Sequence, residues 1–243
     1  MKLVLRLLFA LVLFACVYAL ALFVMPSLAR LVGLHRACPW LSGTSLVPQL
    51  TFFVASIILA CILGKGDLSA YGWRSVRPRH LLRPVVVSTI TMLILMSPML
   101  VAMITGADLP DEGMTSKGPW IAGLPQTVLF VWIIASICEE VFYRGLLQGI
   151  LAPLRKYGVR VLGVRLTAPV GLCAVAFGLG HLCLRGMVPT PMLIAILIST
   201  TALGLIAGYF REKTGSLMPA IAAHMTFNVV GTLMSLLVRS LHG

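Results

Sequence analysis

Seven apolar segments, each about as long as a bilayer is thick, restrict the folds that this chain can adopt. A helix needs about 20 residues to cross the hydrocarbon core. Because lipid offers the backbone no hydrogen-bond partners, only helices and closed barrels can cross it. The segments are Leu7–Ala29, Leu46–Gly64, Pro84–Thr105, Trp120–Leu151, Pro169–Leu184, Pro189–Phe210 and Ser216–Val238. We therefore predict an all-α, polytopic membrane bundle of seven or eight transmembrane helices.

The amino-acid composition agrees with an integral membrane protein. Hydrophobic residues make up 59% of the chain and charged residues 11%, far from the averages of soluble domains. The formal net charge is +12. The basic residues lie in short loops between apolar segments, which favours contact with anionic lipid headgroups over nucleic-acid binding. The six cysteines contain no C-x-x-C pair, so neither a disulfide framework nor a zinc knuckle is indicated.

The distribution of basic residues also predicts an orientation in the membrane. The basic segments 65–83, 155–165 and 211–213 alternate with loops that are poorer in Lys and Arg. The loop 106–118 instead carries three acidic residues and one lysine. The positive-inside rule therefore places the N-terminus in the cytoplasm and, for seven spans, the C-terminus outside. An eighth element, for instance an interfacial helix around Leu154–Leu166, is an open alternative.

The first apolar segment permits two interpretations. Lys2 and Arg6 precede a long apolar stretch, as they would in a signal peptide. The stretch is longer than the apolar core of a typical signal peptide, so we expect an uncleaved anchor. No repeat, low-complexity tract or long linker divides the chain. We predict one integral membrane domain over 1–243, with N-terminal helices in 1–119 and a catalytic core in 120–238.

Two adjacent glutamates, Glu139 and Glu140, lie inside the fourth apolar segment. A carboxylate at bilayer depth costs about 3 kcal/mol or more, so an ionisable residue there indicates a function. Glu140 and Arg144 are i,i+4 neighbours on one helical face, a spacing that favours an ion pair. Glu139 points about 100° away, and we expect it to face a cavity as a general base. The alternative is a buried ion-pair network that only orients helices.

Two histidines lie in other apolar segments. His181 follows Phe177 by four residues and shares its helical face, and Asn228 has the same spacing from His224. His224 and Asn228 can donate hydrogen bonds toward one point, as an oxyanion requires. The alternative for both segments is ordinary hydrogen bonding between helices. By helical rise, Glu139, His181 and His224 lie about 20, 18 and 12 Å from the predicted cytoplasmic side, so they can meet.

Missing motifs argue against several known intramembrane chemistries. The sequence contains no H-E-x-x-H motif of the zincin metalloproteases. No aspartate lies within an apolar segment, so a paired-aspartate site is not encoded. Ser216 lies at a membrane boundary, where a serine fits a helix cap better than a buried nucleophile.

The three motifs together resemble those of a known family. The motifs are Glu139-Glu140-x-x-x-Arg144, Phe177-x-x-x-His181 and His224-x-x-x-Asn228, in that order on three apolar segments. As an ordered set they resemble the CPBP (or ABI) family of CAAX proteases and bacteriocin-processing enzymes, which includes the type II CAAX prenyl endopeptidases. The run from Thr214 to His224 also resembles that family's approach to its last motif. The resemblance covers about 120–237 and does not include the first three apolar segments.

The resemblance implies that the chain hydrolyses a peptide bond inside a membrane cavity. Six residues would form the site by position, namely Glu139, Glu140, Arg144, His181, His224 and Asn228. The first glutamate would activate water with the help of His181. The second glutamate and the arginine would order the site, and the histidine–asparagine pair would stabilise the oxyanion.

The family has also been described as metalloprotease-like. In that version Glu139, His181 and His224 would be the Zn²⁺ ligands, and the fourth position would hold water. We expect the metal-free glutamate mechanism and no cofactor, because the ligands would come from three separate helices. The zinc-dependent protease remains the alternative.

Two other classes of protein fit parts of the pattern. A non-catalytic membrane protein, such as a bacteriocin-immunity factor, would be expected to lack some motif residues, and here all are present. A proton-coupled transporter could use Glu139 and His181 as a relay, but it would typically show repeated halves. We expect a peptide or membrane-anchored protein as substrate, contact with the bilayer and no nucleic acid. We expect a prokaryotic plasma membrane as its location. Substrate identity, prenylation and oligomeric state stay open.

Overall fold

The computed structural model describes residues 3–38, 45–104 and 123–242, which form a helical bundle and one β-hairpin. The helices are α1 (Leu3–Leu31), α2 (Leu34–Ala37), α3 (Leu46–Leu63), α4 (Arg79–Ile104), α5 (Leu124–Ile150), α6 (Ala168–Gly180), α7 (Thr190–Thr214) and α8 (Met218–His242). Short 3-10 turns lie at Ser69–Tyr71, Ala152–Lys156 and His181–Leu184. The strands are β1 (Gly158–Val161) and β2 (Val164–Thr167).

The predicted apolar segments coincide with the helices of the bundle. Within the described residues, six helices are long and apolar enough to cross a membrane, namely α1, α3, α4, α5, α7 and α8. The fifth predicted segment is the shorter apolar helix Ala168–Leu184. The all-α membrane class is thus confirmed. Thr105 and Trp120, at two predicted segment ends, lie outside the described residues. Many large apolar side chains are exposed on the outside of the bundle, as contact with lipid requires.

The segment after α5 is a β-hairpin, so the alternative of an interfacial helix at Leu154–Leu166 is wrong. Strands β1 and β2 pair antiparallel, and Val161 lies opposite Val164 at the end of the ladder. Leu162 and Gly163 join the strands with φ angles of 48° and 78°. Positive φ at both loop positions is the geometry of a type I′ turn, whose twist matches that of a hairpin. Valines on both sides of this turn favour strands over a helix.

Glycines allow α6 and α7 to pack closely. A Cβ atom on Gly204 of α7 would lie 2.7 Å from the Cα of Ala174 in α6. A Cβ on Gly178 of α6 would lie 2.0 Å from the Oγ1 of Thr201 in α7. Small residues of this kind bring membrane helices into backbone contact. The contact sets the position of the C-terminal end of α6, where His181 begins a 3-10 turn.

Aromatic side chains from both halves of the chain fill the centre of the bundle. The ring of Phe142 in α5 stacks on Phe52 of α3, with centroids 4.9 Å apart, and on Phe14 of α1, at 6.0 Å. Tyr143 packs edge-on against Phe177 of α6, with centroids 4.9 Å apart. Helices α1 and α3 therefore pack directly on the part of α5 that follows the two glutamates.

Loops rich in basic residues meet at one end of the bundle. Arg211, near the end of α7, donates a hydrogen bond to the carbonyl of Ala70 at 2.8 Å. The ring of Tyr71 in the same loop lies against Gly149 near the end of α5, where a Cβ would be 2.7 Å away. This grouping agrees with the predicted alternation of basic and less basic loops. The side of the membrane that this end faces stays a prediction.

Candidate active site

The two glutamates lie in a short α-helical stretch of α5 that is bordered by π-helical turns. Ser136–Glu140 is α-helical, whereas Thr127–Ala135 and Val141–Leu147 have the wider π geometry. Such turns inside a helix change which side chains share a face, and they are frequent at functional sites. Here the two carboxylates contact side chains of α3 and α8.

Glu140 is buried and holds two partners through one oxygen. Its Oε1 accepts a hydrogen bond from Nδ1 of His224 at 2.8 Å and lies 3.0 Å from Nη1 of Arg144. A carboxylate that is paired with arginine only accepts hydrogen bonds, so the imidazole carries a proton on Nδ1 and its Nε2 faces away. The i,i+4 ion pair predicted from the sequence is present, and Glu140 also orients His224.

Arg144 is stabilised by charge and aromatic contact, not by well-aligned hydrogen bonds. Within the described residues, no acceptor is aligned with any of its guanidinium nitrogens, although Nη1 lies close to Glu140. Its Cζ lies 4.5 Å from the centroid of the Phe177 ring and 5.6 Å from that of Tyr143. Cation–π attraction of this kind strengthens where water is excluded. In the described chain, Glu140 therefore provides the only carboxylate close to the Arg144 cation.

Glu139 is more accessible than Glu140, and its two carboxylate oxygens face different helices. Its side chain is 14% exposed, compared with 0% for Glu140. The Oε1 atom accepts a hydrogen bond from Nε2 of Gln49 in α3 at 2.5 Å. The Oε2 atom lies 3.8 Å from Nε2 of His224, which is too far for a direct hydrogen bond. The predicted ion pair of Glu140 with Arg144 is present. Glu139 is the more accessible of the two but is bonded to Gln49 and not left unpaired, and its facing a cavity stays a prediction.

His181 lies just after the end of α6, and the ring of Phe177 contacts both it and His224. Its Nδ1 lies 2.9 Å from the carbonyl oxygen of Phe177. A carbonyl only accepts, so Nδ1 carries the proton and Nε2 of the neutral ring is free to accept. The Phe177 ring packs edge-on against both imidazoles, with centroids 5.0 Å from His181 and 5.5 Å from His224. The two histidines therefore flank one aromatic ring.

Asn228 follows His224 on α8, but its amide group already makes two hydrogen bonds. Its Nδ2 donates to the carbonyl of Val131 at 3.0 Å and to Oγ of Ser136 at 3.1 Å. Both partners belong to α5, so Asn228 joins α8 to the helix that carries the glutamates. The two donors point at α5 instead of at a point shared with His224. A role in oxyanion binding requires that one of these bonds opens.

Two residues of the N-terminal half lie at the site and were not expected from the sequence, namely Gln49 and Tyr18. The hydroxyl of Tyr18 donates to the carbonyl of Gly180, directly before His181. A Cβ on Gly180 would lie 2.7 Å from that hydroxyl, so glycine is required for the approach. The signal that could have found both residues is their polarity inside apolar segments, because a buried polar group in a membrane helix needs a partner.

The three possible zinc ligands are not grouped within reach of one ion in the described residues. In 3–38, 45–104 and 123–242, no three His, Cys, Asp or Glu side chains are placed to hold a metal ion. Glu139 and His224 are neighbours, with 3.8 Å between their nearest polar atoms, but His181 does not complete the set. A structural or catalytic zinc site needs at least three protein ligands at about 2 Å from the ion. Whether the reaction needs a metal ion stays a prediction.

One comparison with known proteins found a match that includes the site. Residues 121–230 match the family model described as type II CAAX prenyl endopeptidase Rce1-like. The matched range contains all six residues that the sequence motifs singled out. Neither a curated protein nor a solved structure matches the chain. Residues 121–230 are thus similar to an Rce1-like type II CAAX prenyl endopeptidase domain, consistent with a protease of the CPBP family.

Proposed function

We propose that the chain hydrolyses a peptide bond within the membrane by a CAAX-protease-like mechanism in which Glu139 activates water. The observation that carries the proposal is the facing pair of Glu139 Oε2 and His224 Nε2, 3.8 Å apart. The family match supports an intramembrane endopeptidase. The roles of individual residues are inferred from their contacts.

The 3.8 Å between the two facing atoms is a distance that one water molecule could bridge. With the water oxygen about 2.8 Å from each atom, the angle between the two atoms at the water would be roughly 85°. This angle allows the water one hydrogen bond to each atom. Glu139 would take a proton from this water as its oxygen attacks the peptide carbonyl, and would then pass the proton to the leaving amine. His181 would assist through Nε2, because its Nδ1 is bonded to the carbonyl of Phe177.

His224 would stabilise the negative charge that develops on the carbonyl oxygen. Its Nδ1–H is bonded to Glu140 at 2.8 Å, so the direction of the ring is set before substrate binds. In its protonated form the ring would donate from Nε2 to the oxyanion. Glu140 would stabilise that positive charge, as a carboxylate does behind a catalytic histidine. Asn228 would add a second donor only after releasing one of its bonds to α5.

We infer the substrate class from the helices that form the site. The contributing helices α3, α5 and α8 are all long and apolar enough to span the bilayer. A site between membrane-spanning helices favours a substrate that is already in the membrane, such as a membrane-anchored protein or a lipid-modified peptide. A prenylated CAAX peptide is one member of this class.

The decisive variant is Glu139→Gln, which removes the base while keeping the shape of the side chain. We expect a loss of turnover of about 10²–10⁴-fold, the range for a general base, with unchanged thermal stability in detergent. Asp67→Asn is the matched control, because Asp67 is an exposed carboxylate outside the helices. The readouts are cleavage of a fluorogenic farnesylated CAAX peptide, of its unprenylated counterpart, and the peptides released in membrane fractions.

Each readout answers a different question. Loss of all cleavage with Glu139→Gln, but not with Asp67→Asn, supports the mechanism. Cleavage of the farnesylated peptide alone identifies the lipid-modified class as substrate. Wild-type turnover by the Glu139→Gln protein would reject the general-base proposal. A wild-type protein without effect on any peptide in the three assays would instead support the non-catalytic alternative.

A further inference from the structure

A cavity of about 530 Å³ opens at the basic end of the bundle, away from the site described above. It lies between the start of α4, which contributes Arg79, His80 and Arg83, and the end of α7, which contributes Lys213. Cavities of about 300–1,000 Å³ are large enough for ligands well beyond the size of a simple ion. The cavity therefore has room for a sizeable charged group.

The cations that line this cavity have no carboxylate partner in the described part of the chain. Neither Arg79 nor Arg83 makes an ion pair there, and Lys213 contacts only Tyr209, with its Nζ 3.2 Å from the hydroxyl. The nearby carboxylate of Glu212 already forms an ion pair with Arg155 and accepts a hydrogen bond from Thr167. Among the described residues, none that lines the cavity is acidic. Its charge therefore suits an anion.

An apolar surface continues from the cavity along α4. Phe210 and Val76 contribute apolar lining beside the cations. On α4, Leu82, Val86 and Ile90 are 66%, 45% and 53% exposed. Their spacing of four residues places them in one stripe along the helix, beginning beside Arg79 and Arg83. A free phosphate would use the cations alone, whereas a phospholipid would use both the cations and the stripe.

We propose that this cavity binds the phosphate headgroup of an anionic phospholipid, whose acyl chains lie along the stripe of α4. Basic pockets between membrane helices bind such headgroups through charge and hydrogen bonds. The proposal concerns binding only and is independent of the proposed peptidase activity.

The test uses the full-length protein in detergent, with binding measured by native mass spectrometry and thermal shift. The probes are phosphatidylglycerol, phosphatidylcholine with the same chains, and inorganic phosphate. The cavity variant is Arg79→Gln/Arg83→Gln/Lys213→Gln. The control Lys65→Gln/Lys156→Gln/Arg160→Gln removes the same charge from exposed positions that do not line the cavity. We expect wild type and control to bind phosphatidylglycerol at least about tenfold better than phosphatidylcholine, and the cavity variant to lose this preference.

Three results would overturn the proposal. Equal loss in the cavity and control variants would show that only diffuse surface charge attracts the lipid. Equal stabilisation by inorganic phosphate at the same concentration would identify a simple anion site. Equal binding of both lipids by wild type would remove the charge preference altogether.

A second inference concerns Gln49 and rests on the proposed function. Gln49 is 6% exposed, and its Nε2 donates to Oε1 of Glu139 at 2.5 Å. Its Oε1 has no hydrogen-bond partner within the described residues. An apolar side chain would fill the same space without burying an unpaired oxygen, so packing alone does not require glutamine here. The residue lies outside the matched range 121–230.

We infer that Gln49 is a positioning residue that fixes the Glu139 carboxylate. By holding Oε1, it directs Oε2 of Glu139 toward His224. Small errors in the position of a catalytic group can cost about 10²-fold in rate. Gln49 thus extends the site into α3, in the half of the chain that carries none of the sequence motifs.

The test compares Gln49→Leu with Ser56→Ala. Ser56 is also a buried polar residue of α3 without a hydrogen-bond partner in the described structure, two turns further along. We expect Gln49→Leu to lower kcat by about 10–100-fold with KM nearly unchanged. We expect the thermal midpoint to fall only slightly, because Oε1 of Glu139 loses its donor but the protein stays folded at the assay temperature. Gln49→Met, which also lacks a donor, replaces Gln49→Leu if that protein does not fold.

The outcomes separate this inference from the proposed function. An inactive Glu139→Gln protein together with wild-type kcat in Gln49→Leu would overturn the inference alone. A fall in the thermal midpoint that accounts for the lost activity would reassign Gln49 to a structural role. An equal loss of kcat in Ser56→Ala would also overturn it. Wild-type turnover by Glu139→Gln would overturn the proposed function itself.

Discussion

Glu139 and Glu140 are neighbours in sequence but have different environments. Glu140 is enclosed with Arg144 and His224, whereas Glu139 contacts Gln49 and faces the second nitrogen of His224. Chemically identical groups can therefore have separate roles, because one stabilises buried charge and the other can act on substrate.

Glu140→Gln is expected to lower both stability and activity. The change leaves the buried cation of Arg144 without its carboxylate, at a cost of about 3–5 kcal/mol. It also weakens the bond that orients His224. The thermal midpoint and purified yield in detergent, measured beside turnover, check this result. If Glu139→Gln unfolds the protein while Glu140→Gln does not, the roles of the two glutamates are reversed.

Asn228→Ala is expected to reduce kcat by about 10²–10³-fold with KM nearly unchanged, if its amide reaches the oxyanion. Its amide now donates to Ser136 and Val131. Ser136→Ala is the matched control, because it removes one of these partners and keeps the amide. Loss of stability without a specific loss of kcat in Asn228→Ala would assign the residue to helix packing.

At the scale of elements, close packing of α6 on α7 determines where His181 lies. Gly204 faces the backbone of Ala174, where no flexible side chain can move aside. The hydroxyl of Tyr18 then binds the last carbonyl of α6. Helices α1 and α7, which carry no catalytic motif, thus fix the end of α6 and the candidate catalytic histidine that follows it.

Gly204→Ala is expected to separate α6 from α7 and to lower both thermal stability and turnover. The added Cβ would lie 2.7 Å from the Cα of Ala174, so the backbones must move. Gly171→Ala is the control, since a Cβ there has open space within 4 Å and alanine favours a helix. The thermal midpoints of both variants check the prediction, and equal midpoints would contradict it.

At the scale of the whole molecule, the site depends on helices from both halves of the chain. The family match covers 121–230, yet α1 and α3 supply Tyr18 and Gln49. A protein reduced to the matched range would lose these contacts and the aromatic packing around Phe142.

Activity of the intact protein is expected to survive exhaustive chelation. The reason is the arrangement of donors, because in the described chain no three His, Cys, Asp or Glu side chains are placed to hold a metal ion. Turnover before and after chelation, together with elemental analysis, checks this expectation. Loss of activity with chelation, its recovery with Zn²⁺ and about one ion per chain would make the zinc-dependent alternative correct.

The membrane class and the helical segments could be predicted from local sequence, because apolar length and helical spacing are properties of neighbouring residues. The Glu140–Arg144 pair follows from the same periodicity. The hairpin after α5 was not predicted, since its leucine–glycine turn has no strong turn motif and its strands are only four residues each.

The amino-acid sequence by itself determined the apolar segments, the residues available for chemistry and their order along the chain. Only the tertiary structure decided their partners, such as Gln49 with Glu139 and Tyr18 with Gly180, which lie 90 and 162 residues apart. It also directed the amide of Asn228 to α5. The physical reason is that helical periodicity specifies which side chains share a face, whereas the rotation and contact of packed helices decide what that face meets.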